Sequence, residues 1–277
     1  MSTGATLLLG AIAGFTIYVG LPLGRIRSTS PALRASLSAI ATGILVFLFW
    51  DVMSNGIDPL DAKLTSHDWG YVALYCSLLF VGFAIGFMSL VYYDSWMTRK
   101  RSSPLVGPGA AAVDEFVHKG WIASLTPGRR LALLIATGIG LHNFGEGLAI
   151  GQSAAAGQIS LAVVLIIGFG LHNTTEGFGI VGPMSGEAEM PSWGFLGLMG
   201  LIGGGPTFIG TAVGQAWVSP AIATLFFAAA GGSILYVVIQ LFEVCRRYAM
   251  PTLIAWMILV GVVLGFGTDF ILTAAGV

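Results

Sequence analysis

Charged residues are scarce in this chain, and their scarcity excludes most soluble folds. The 277 residues include 12 Lys and Arg and 13 Asp and Glu, so that 9% of the chain is charged, whereas soluble domains average roughly 25%. A soluble domain of this length needs a charged surface, and too few charges are present to form one. The net charge of −1 gives no indication of a nucleic-acid partner.

Cysteine is almost absent, and this excludes two further classes of protein. The two cysteines, Cys76 and Cys245, each lie among apolar residues, so neither a disulfide framework nor a thiolate metal site is expected. The chain is instead 56% hydrophobic and contains 40 glycines. Several glycines recur four residues apart within apolar runs, as at Gly10 and Gly14, a spacing that lets membrane helices approach closely.

Eight segments are apolar and long enough to cross a bilayer, which takes about 20 residues per helix. The sequence therefore predicts an all-α membrane protein, with one transmembrane domain over residues 1–277. The longest polar stretch, 93–130, is predicted to be a cytoplasmic loop with a short helix at 110–122. The predicted spans are 5–23, 33–52, 71–92, 131–151, 159–182, 193–216, 221–242 and 251–274.

The positions of the basic residues predict the orientation of these spans. With eight spans, every Lys and Arg except Lys63 falls on the same side of the membrane. Basic residues are retained on the cytoplasmic side, so we expect a multi-pass protein of the cell membrane with both termini outside. The loop between the fifth and sixth spans is then cytoplasmic too, although it lacks Lys and Arg and carries Glu187 and Glu189.

The fourth and fifth spans contain the same polar motif, Gly-Leu-His-Asn-x-x-Glu-Gly. In each copy His and Glu are four residues apart, which places them on one face of a helix, one turn apart. His142 follows Leu131 by about 16 Å of helix at 1.5 Å per residue, and His172 has a matching depth on the returning span. Both motifs therefore lie near the middle of the membrane on neighbouring helices.

Ionisable groups at this depth cost several kcal/mol each unless they are paired or hydrated. A divalent cation bound by both copies would satisfy them together; the alternative is a His–Glu pair that joins the helices by hydrogen bonds. Imidazole with carboxylate suits Zn²⁺, Fe²⁺, Mn²⁺, Co²⁺ or Ni²⁺, whereas Mg²⁺ and Ca²⁺ prefer oxygen ligands alone. The predicted metal ligands are His142, Asn143, Glu146, His172, Asn173 and Glu176.

At these residues the chain resembles the ZIP (zinc/iron permease) family of divalent metal transporters, which has HNxPEG motifs on its fourth and fifth helices. His142-Asn143-Phe144-Gly145-Glu146-Gly147 and His172-Asn173-Thr174-Thr175-Glu176-Gly177 match at His, Asn, Glu and Gly. The resemblance implies a transporter and not an enzyme, with Zn²⁺ or another divalent transition metal as the substrate that moves toward the cytoplasm. It also implies eight helices in a 3+2+3 arrangement with an inverted repeat, in which helices 1, 4, 5 and 6 move against helices 2, 3, 7 and 8.

The chain departs from the family pattern in two places. Gly145 and Thr175 stand where the family usually has proline. In the sixth span, Pro206 follows three glycines and no carboxylate is present, although many members supply a glutamate there for a second metal. We therefore expect one strong metal site, and a weaker second site beside it is the alternative. The expected partners are the metal ion and the lipid bilayer, with a homodimer possible and nucleic acid excluded.

Two other functions use the same residues. A membrane-embedded zinc metallohydrolase would hold Zn²⁺ with an open water position and use a glutamate as base, and a transport-inactive family member would bind metal without moving it. Asp51 and Asp269 lie near the outer ends of the second and eighth spans. We expect both residues to be solvated at the membrane interface. The alternative is that they guide cations toward the site. The consecutive Phe226 and Phe227 are expected to face lipid or to pack between helices.

Overall fold

The computed structural model describes residues 2–25, 30–101, 121–157, 159–184, 187–216 and 219–274. Over these ranges the protein is helical and contains no β-strand. The predicted short helix at 110–122 lies almost entirely outside the described residues; its described end belongs to a single helical turn, Trp121–Ser124. The main helices are α1 Thr3–Arg25, α2 Pro31–Thr65, α3 Trp69–Arg101, α4 Pro127–Ala155, α5 Ile159–Val181, α6 Trp193–Ala216, α7 Pro220–Arg246 and α8 Pro251–Ala274.

Seven of these helices are long and apolar enough to cross a membrane over their described residues. The remaining one, α5, has 23 residues, but several of its side chains lie outside the described part of the chain. The prediction of an all-α, multi-pass membrane protein is confirmed at this level. The 3+2+3 arrangement, the inverted repeat and the placement of the termini stay predictions.

The largest difference from the expected helix bounds is at the end of α2. The apolar run ends near Val52, but α2 continues to Thr65 with Pro59 inside it. The acidic residues Asp58 and Asp61 thus lie on a helix and not in a loop. The helix ends just before His67, whose φ of 56° reverses the chain into α3. An apolar run gives only the membrane-embedded part of a helix, so a polar extension of this kind is missed.

The first helix is interrupted at Thr16 in its middle. An α-helix over Thr3–Phe15 is followed by a turn over Ile17–Gly20 and a 3₁₀ segment over Leu21–Arg25. The Thr16 hydroxyl donates a hydrogen bond to the carbonyl oxygen of Ala13, at 2.6 Å. Side-chain bonds of this kind compete with the helical ladder and bend helices.

The eight helices pack mainly as two groups. The first group contains α1, α4, α5 and α6, and the second contains α2, α3, α7 and α8. Within the first group α4 packs along α6, and within the second α7 packs along α3 and α8 along α2. The two groups meet chiefly where α4 contacts α7 and where α5 contacts α2 and α8. Both copies of the repeated motif belong to the first group, at its boundary with the second.

Candidate metal centre

Three of the predicted ligands meet in the middle of α4 and α5. His142 Nε2 lies 3.1 Å from Glu146 Oε1 on the same helix and 3.8 Å from Glu176 Oε1 on α5. All three side chains are almost completely buried. The contact within α4 is the one that the four-residue spacing predicts, and the contact to α5 brings together the two copies of the motif. We call these three residues the central cluster.

Asn143 fixes the position of this cluster from a second side. Its amide nitrogen Nδ2 donates to Glu176 Oε2 at 3.1 Å and to the carbonyl oxygen of Gly203 at 2.9 Å. It therefore ties α4 to α5 and to α6 at the same depth. Gly203 is a contribution to the site that the sequence analysis did not anticipate, because a backbone carbonyl leaves no signal in the residue types.

The other predicted residues are placed differently. Asn173 is buried on α5, but its amide nitrogen donates to the carbonyl oxygen of Ala13 on α1, at 2.9 Å, and no described contact joins it to the central cluster. His172 lies on the helical backbone of α5, while its side chain falls outside the described residues. The roles of both as metal ligands stay predictions.

Several side-chain oxygen atoms of the predicted ligands, within the central cluster and outside it, have no hydrogen-bond partner among the described residues. They are Asn143 Oδ1, Glu146 Oε2, Asn173 Oδ1 and Glu176 Oε1, and all are buried. A buried polar atom without a partner costs about 1–3 kcal/mol, and more when it is charged. Carboxylate and amide oxygens beside an imidazole are suitable ligands for a divalent transition metal. They are equally compatible with ordered water, so the donor set permits a metal without requiring one.

No group of three or more His, Cys, Asp or Glu side chains in the described part of the chain is recognisable as a metal site. The two glutamates approach the same nitrogen of His142, so the central cluster has the form of an ion-pair triad. The predicted ligand set contains a second imidazole, that of His172, which the described side chains do not include.

Asp51 approaches the central cluster from the second group of helices. Its carboxylate on α2 is close enough to interact electrostatically with His142, Glu146 and Asp269. The Asn55 amide donates to Asp51 Oδ1 at 3.4 Å and to the Asp51 carbonyl oxygen at 2.9 Å. The Asp51 carboxylate thus lies within electrostatic range of the cluster, and Asp269 lies within range of Asp51. Whether either residue guides cations or is simply solvated at the interface stays a prediction.

A cavity of about 390 Å³ opens at the end of the bundle where α4 begins and α7 ends. We call this the basic end, because Arg129, Arg130, Arg246 and Arg247 lie there. The cavity lies between α4 on one side and α3 and α7 on the other. Among its lining residues on α4, Leu134 is the farthest from the basic end. Its polar lining residues are Asp94, Arg130, Glu187, Gln240, Glu243 and Arg247.

Hydrogen bonds organise the wall of this cavity. The Tyr236 hydroxyl donates to Asp94 Oδ2 at 2.8 Å and accepts from the Gln240 amide, also at 2.8 Å. On the opposite wall, Glu187 accepts a hydrogen bond from the hydroxyl of Thr126, the N-cap residue of α4, and lies 3.4 Å from Arg129 Nε. The acidic connector between α5 and α6 is thereby paired with a basic residue of α4.

Comparison with known proteins does not identify a family. No protein-family model matches the chain, and no curated protein matches it. The fold therefore defines the class, an all-α multi-pass membrane protein.

Proposed function

We propose that this protein transports a divalent transition metal, with Zn²⁺ as the leading candidate and Fe²⁺, Mn²⁺ and Co²⁺ as alternatives. The observation that carries the proposal is the meeting of His142, Glu146 and Glu176, fully buried, in the middle of two membrane helices. Ionisable side chains at such depth are rare and mark ion or substrate pathways. Membership of the ZIP family is part of this proposal, and the paired motifs support it.

The distances in the central cluster support a metal site. In a tetrahedral zinc site with bonds near 2.0–2.1 Å, neighbouring ligand atoms lie about 3.3 Å apart. The separations of His142 Nε2 from the two glutamate oxygens, 3.1 and 3.8 Å, are close to that spacing. These three side chains would supply ligands to the metal, and His172 stays the proposed fourth ligand on the sequence motif alone. A single metal is proposed, because α6 has no carboxylate that could help to bind a second.

Polar regions on both sides of the cluster favour transport over a structural His–Glu pair. Asp51 and Asp269 provide negative charge on one side, and the cavity beside Asp94 opens on the other. Leu134, at the inner limit of the cavity, precedes His142 by eight residues or about 12 Å of helix. In the proposed orientation the basic end faces the cytoplasm, so the metal would enter past Asp51 and leave through the cavity.

The packing of the helices supports movement of one group against the other. Within a group, glycines bring backbones into direct contact: a methyl group added at Gly14 would meet the carbonyl oxygen of Gly204. At two glycines on the boundary, the nearest atoms belong to side chains and not to a backbone. A methyl group added at Gly138 would lie 3.1 Å from Val237 Cγ2, and one at Gly179 would lie 3.8 Å from Ala41 Cβ. Tight backbone contacts within each group, with side-chain contacts between the groups, are the packing expected of two rigid bodies that move against each other. The 3+2+3 arrangement of the helices is part of the same proposal.

Zinc uptake by the purified protein in proteoliposomes tests this function. The proposal expects saturable uptake of radioactive zinc that unlabelled Fe²⁺, Mn²⁺ or Co²⁺ reduces. Tight zinc binding without uptake would instead select a transport-inactive metal-binding protein. Hydrolysis of a lipid or peptide without uptake would select the metallohydrolase.

A further inference from the structure

Helix α7 contacts the first copy of the motif through two consecutive aromatic side chains. The rings of Phe226 and Phe144 have centroids 4.8 Å apart. A methyl group added at Gly145 would lie 3.1 Å from Phe227 Cε1 and 3.2 Å from Phe227 Cδ1. Phe144 and Gly145 immediately precede Glu146, so both contacts are made beside the central cluster. We call these four residues the aromatic clasp.

The second copy of the motif uses the corresponding positions in another way. Thr174 follows Asn173 as Phe144 follows Asn143. Its hydroxyl contacts the carbonyl oxygens of Gly170, at 3.0 Å, and of Thr16 on α1, at 3.4 Å. Both partners belong to the first group of helices. The contacts described for Thr174 therefore stay within the first group, whereas Phe144 and Gly145 of the α4 copy contact the second group through the clasp.

The interface between α4 and α7 is open at one end and closed further along. The cavity at the basic end lies between the two helices and extends as far as Leu134 on α4 and Gln240 on α7. Beyond it, Gly138 faces Val237 and Leu90, and then the aromatic clasp closes the interface beside Glu146. The two groups of helices are thus parted on the cytoplasmic side of the proposed pathway and joined by aromatic contacts on its outer side.

We propose that the aromatic clasp is the outer closure of the transport pathway, and that it must open in every transport cycle. This inference rests on the proposed transport function. Phe226 and Phe227 are positioning residues, because they act on the motif and do not touch the metal. Aromatic rings suit this role, because they are rigid and bury a large area where they pack against each other. Gly145 leaves the space that Phe227 occupies.

Reversible cross-linking tests the inference directly. Phe144→Cys and Phe226→Cys are introduced together into a protein that lacks Cys76 and Cys245, and the pair is joined by oxidation or by a short thiol-reactive linker. The matched control is Phe47→Cys with Phe266→Cys, on α2 and α8. Those rings also have centroids 4.8 Å apart, but both helices belong to the second group.

The expected result is loss of zinc uptake when the clasp pair is cross-linked, recovery after cleavage of the cross-link, and no loss for the control pair. Equal uptake before and after cross-linking of the clasp pair would overturn this inference and leave the proposed transport intact. Failure of the clasp pair to cross-link, where the control pair does, would contradict the contact itself. Absence of uptake by the unmodified protein would overturn the proposed function and this inference with it.

Discussion

The side-chain amide of Asn143 donates to the carboxylate of Glu176 across the interface of α4 and α5, at 3.1 Å. This bond joins the asparagine of one motif copy to the glutamate of the other. The same amide also binds the Gly203 carbonyl oxygen on α6, at 2.9 Å. One side chain therefore sets the relative positions of three helices at the depth where the proposed metal binds.

Replacement of Asn143 by alanine should weaken both the fold and the site. Two hydrogen bonds are lost, and Glu176 Oε2 is left buried without this donor, at a cost of about 1–3 kcal/mol. We expect a lower unfolding temperature in detergent and a higher dissociation constant for zinc by calorimetry. Wild-type values for both quantities would contradict the role assigned to Asn143.

Replacement of Asp51 by asparagine should reduce the supply of cations to the site. The change removes a charge that interacts with His142 and Glu146 but keeps the shape of the side chain. Because a negative charge near the entrance raises the local cation concentration, we expect a higher KM for zinc uptake and a weaker dependence on salt. The matched control is Asp58→Asn, an exposed position further along α2. Equal KM values in the two variants would show that Asp51 is only a solvated interfacial residue.

Alanine substitution of glycines should distinguish tight helix contacts within a group from ordinary contacts between the two groups. At Gly204 the added methyl group meets the carbonyl oxygen of Gly14, within one group of helices. Overpacking of this kind typically costs about 1–3 kcal/mol. At Gly179 the added methyl group lies 3.8 Å from Ala41 Cβ, an ordinary contact across the boundary. Thermal unfolding should therefore show a destabilised Gly204→Ala protein and a nearly unchanged Gly179→Ala protein; equal destabilisation would argue against two tightly packed groups.

The orientation of the bundle gives a labelling prediction. In a cysteine-free protein, Glu189→Cys lies in the exposed part of the connector that pairs with Arg129, and Lys63→Cys lies at the opposite end of the bundle. If the basic end faces the cytoplasm, an impermeant maleimide added to intact cells should label only the cysteine at position 63. Labelling at 189 alone would reverse the proposed direction of transport.

The helices and the core of the site were predictable from the sequence because both depend on local spacing. Apolar runs give the membrane-embedded parts of the helices, and the spacing of His142 and Glu146 gives their contact. The charge of the connector between α5 and α6 was harder to interpret, since it lacks basic residues. Its Glu187 lies 3.4 Å from Arg129 Nε, and such a pairing between distant positions cannot be read from either segment alone.

The features that the sequence did not predict are contacts between helices that lie far apart in the chain. The approach of Asp51 to His142, the use of the Gly203 carbonyl and the packing of Phe226 on Phe144 all depend on which helix faces lie together. The polar end of α2 was missed for a different reason: hydropathy reports burial in lipid, and a helix is free to continue into water. The proposed pathway therefore rests on tertiary contacts that the two motifs alone do not reveal.

The central claim is that Glu176 binds the metal that crosses the membrane. Its most direct test is zinc uptake into proteoliposomes by the Glu176→Gln protein, which keeps the shape of the side chain and removes its negative charge. The control is Glu189→Gln, the same change at a side chain that is 87% exposed. The account predicts that uptake is lost in Glu176→Gln, although the protein remains folded, and is unchanged in Glu189→Gln. Normal uptake by folded Glu176→Gln protein would contradict it.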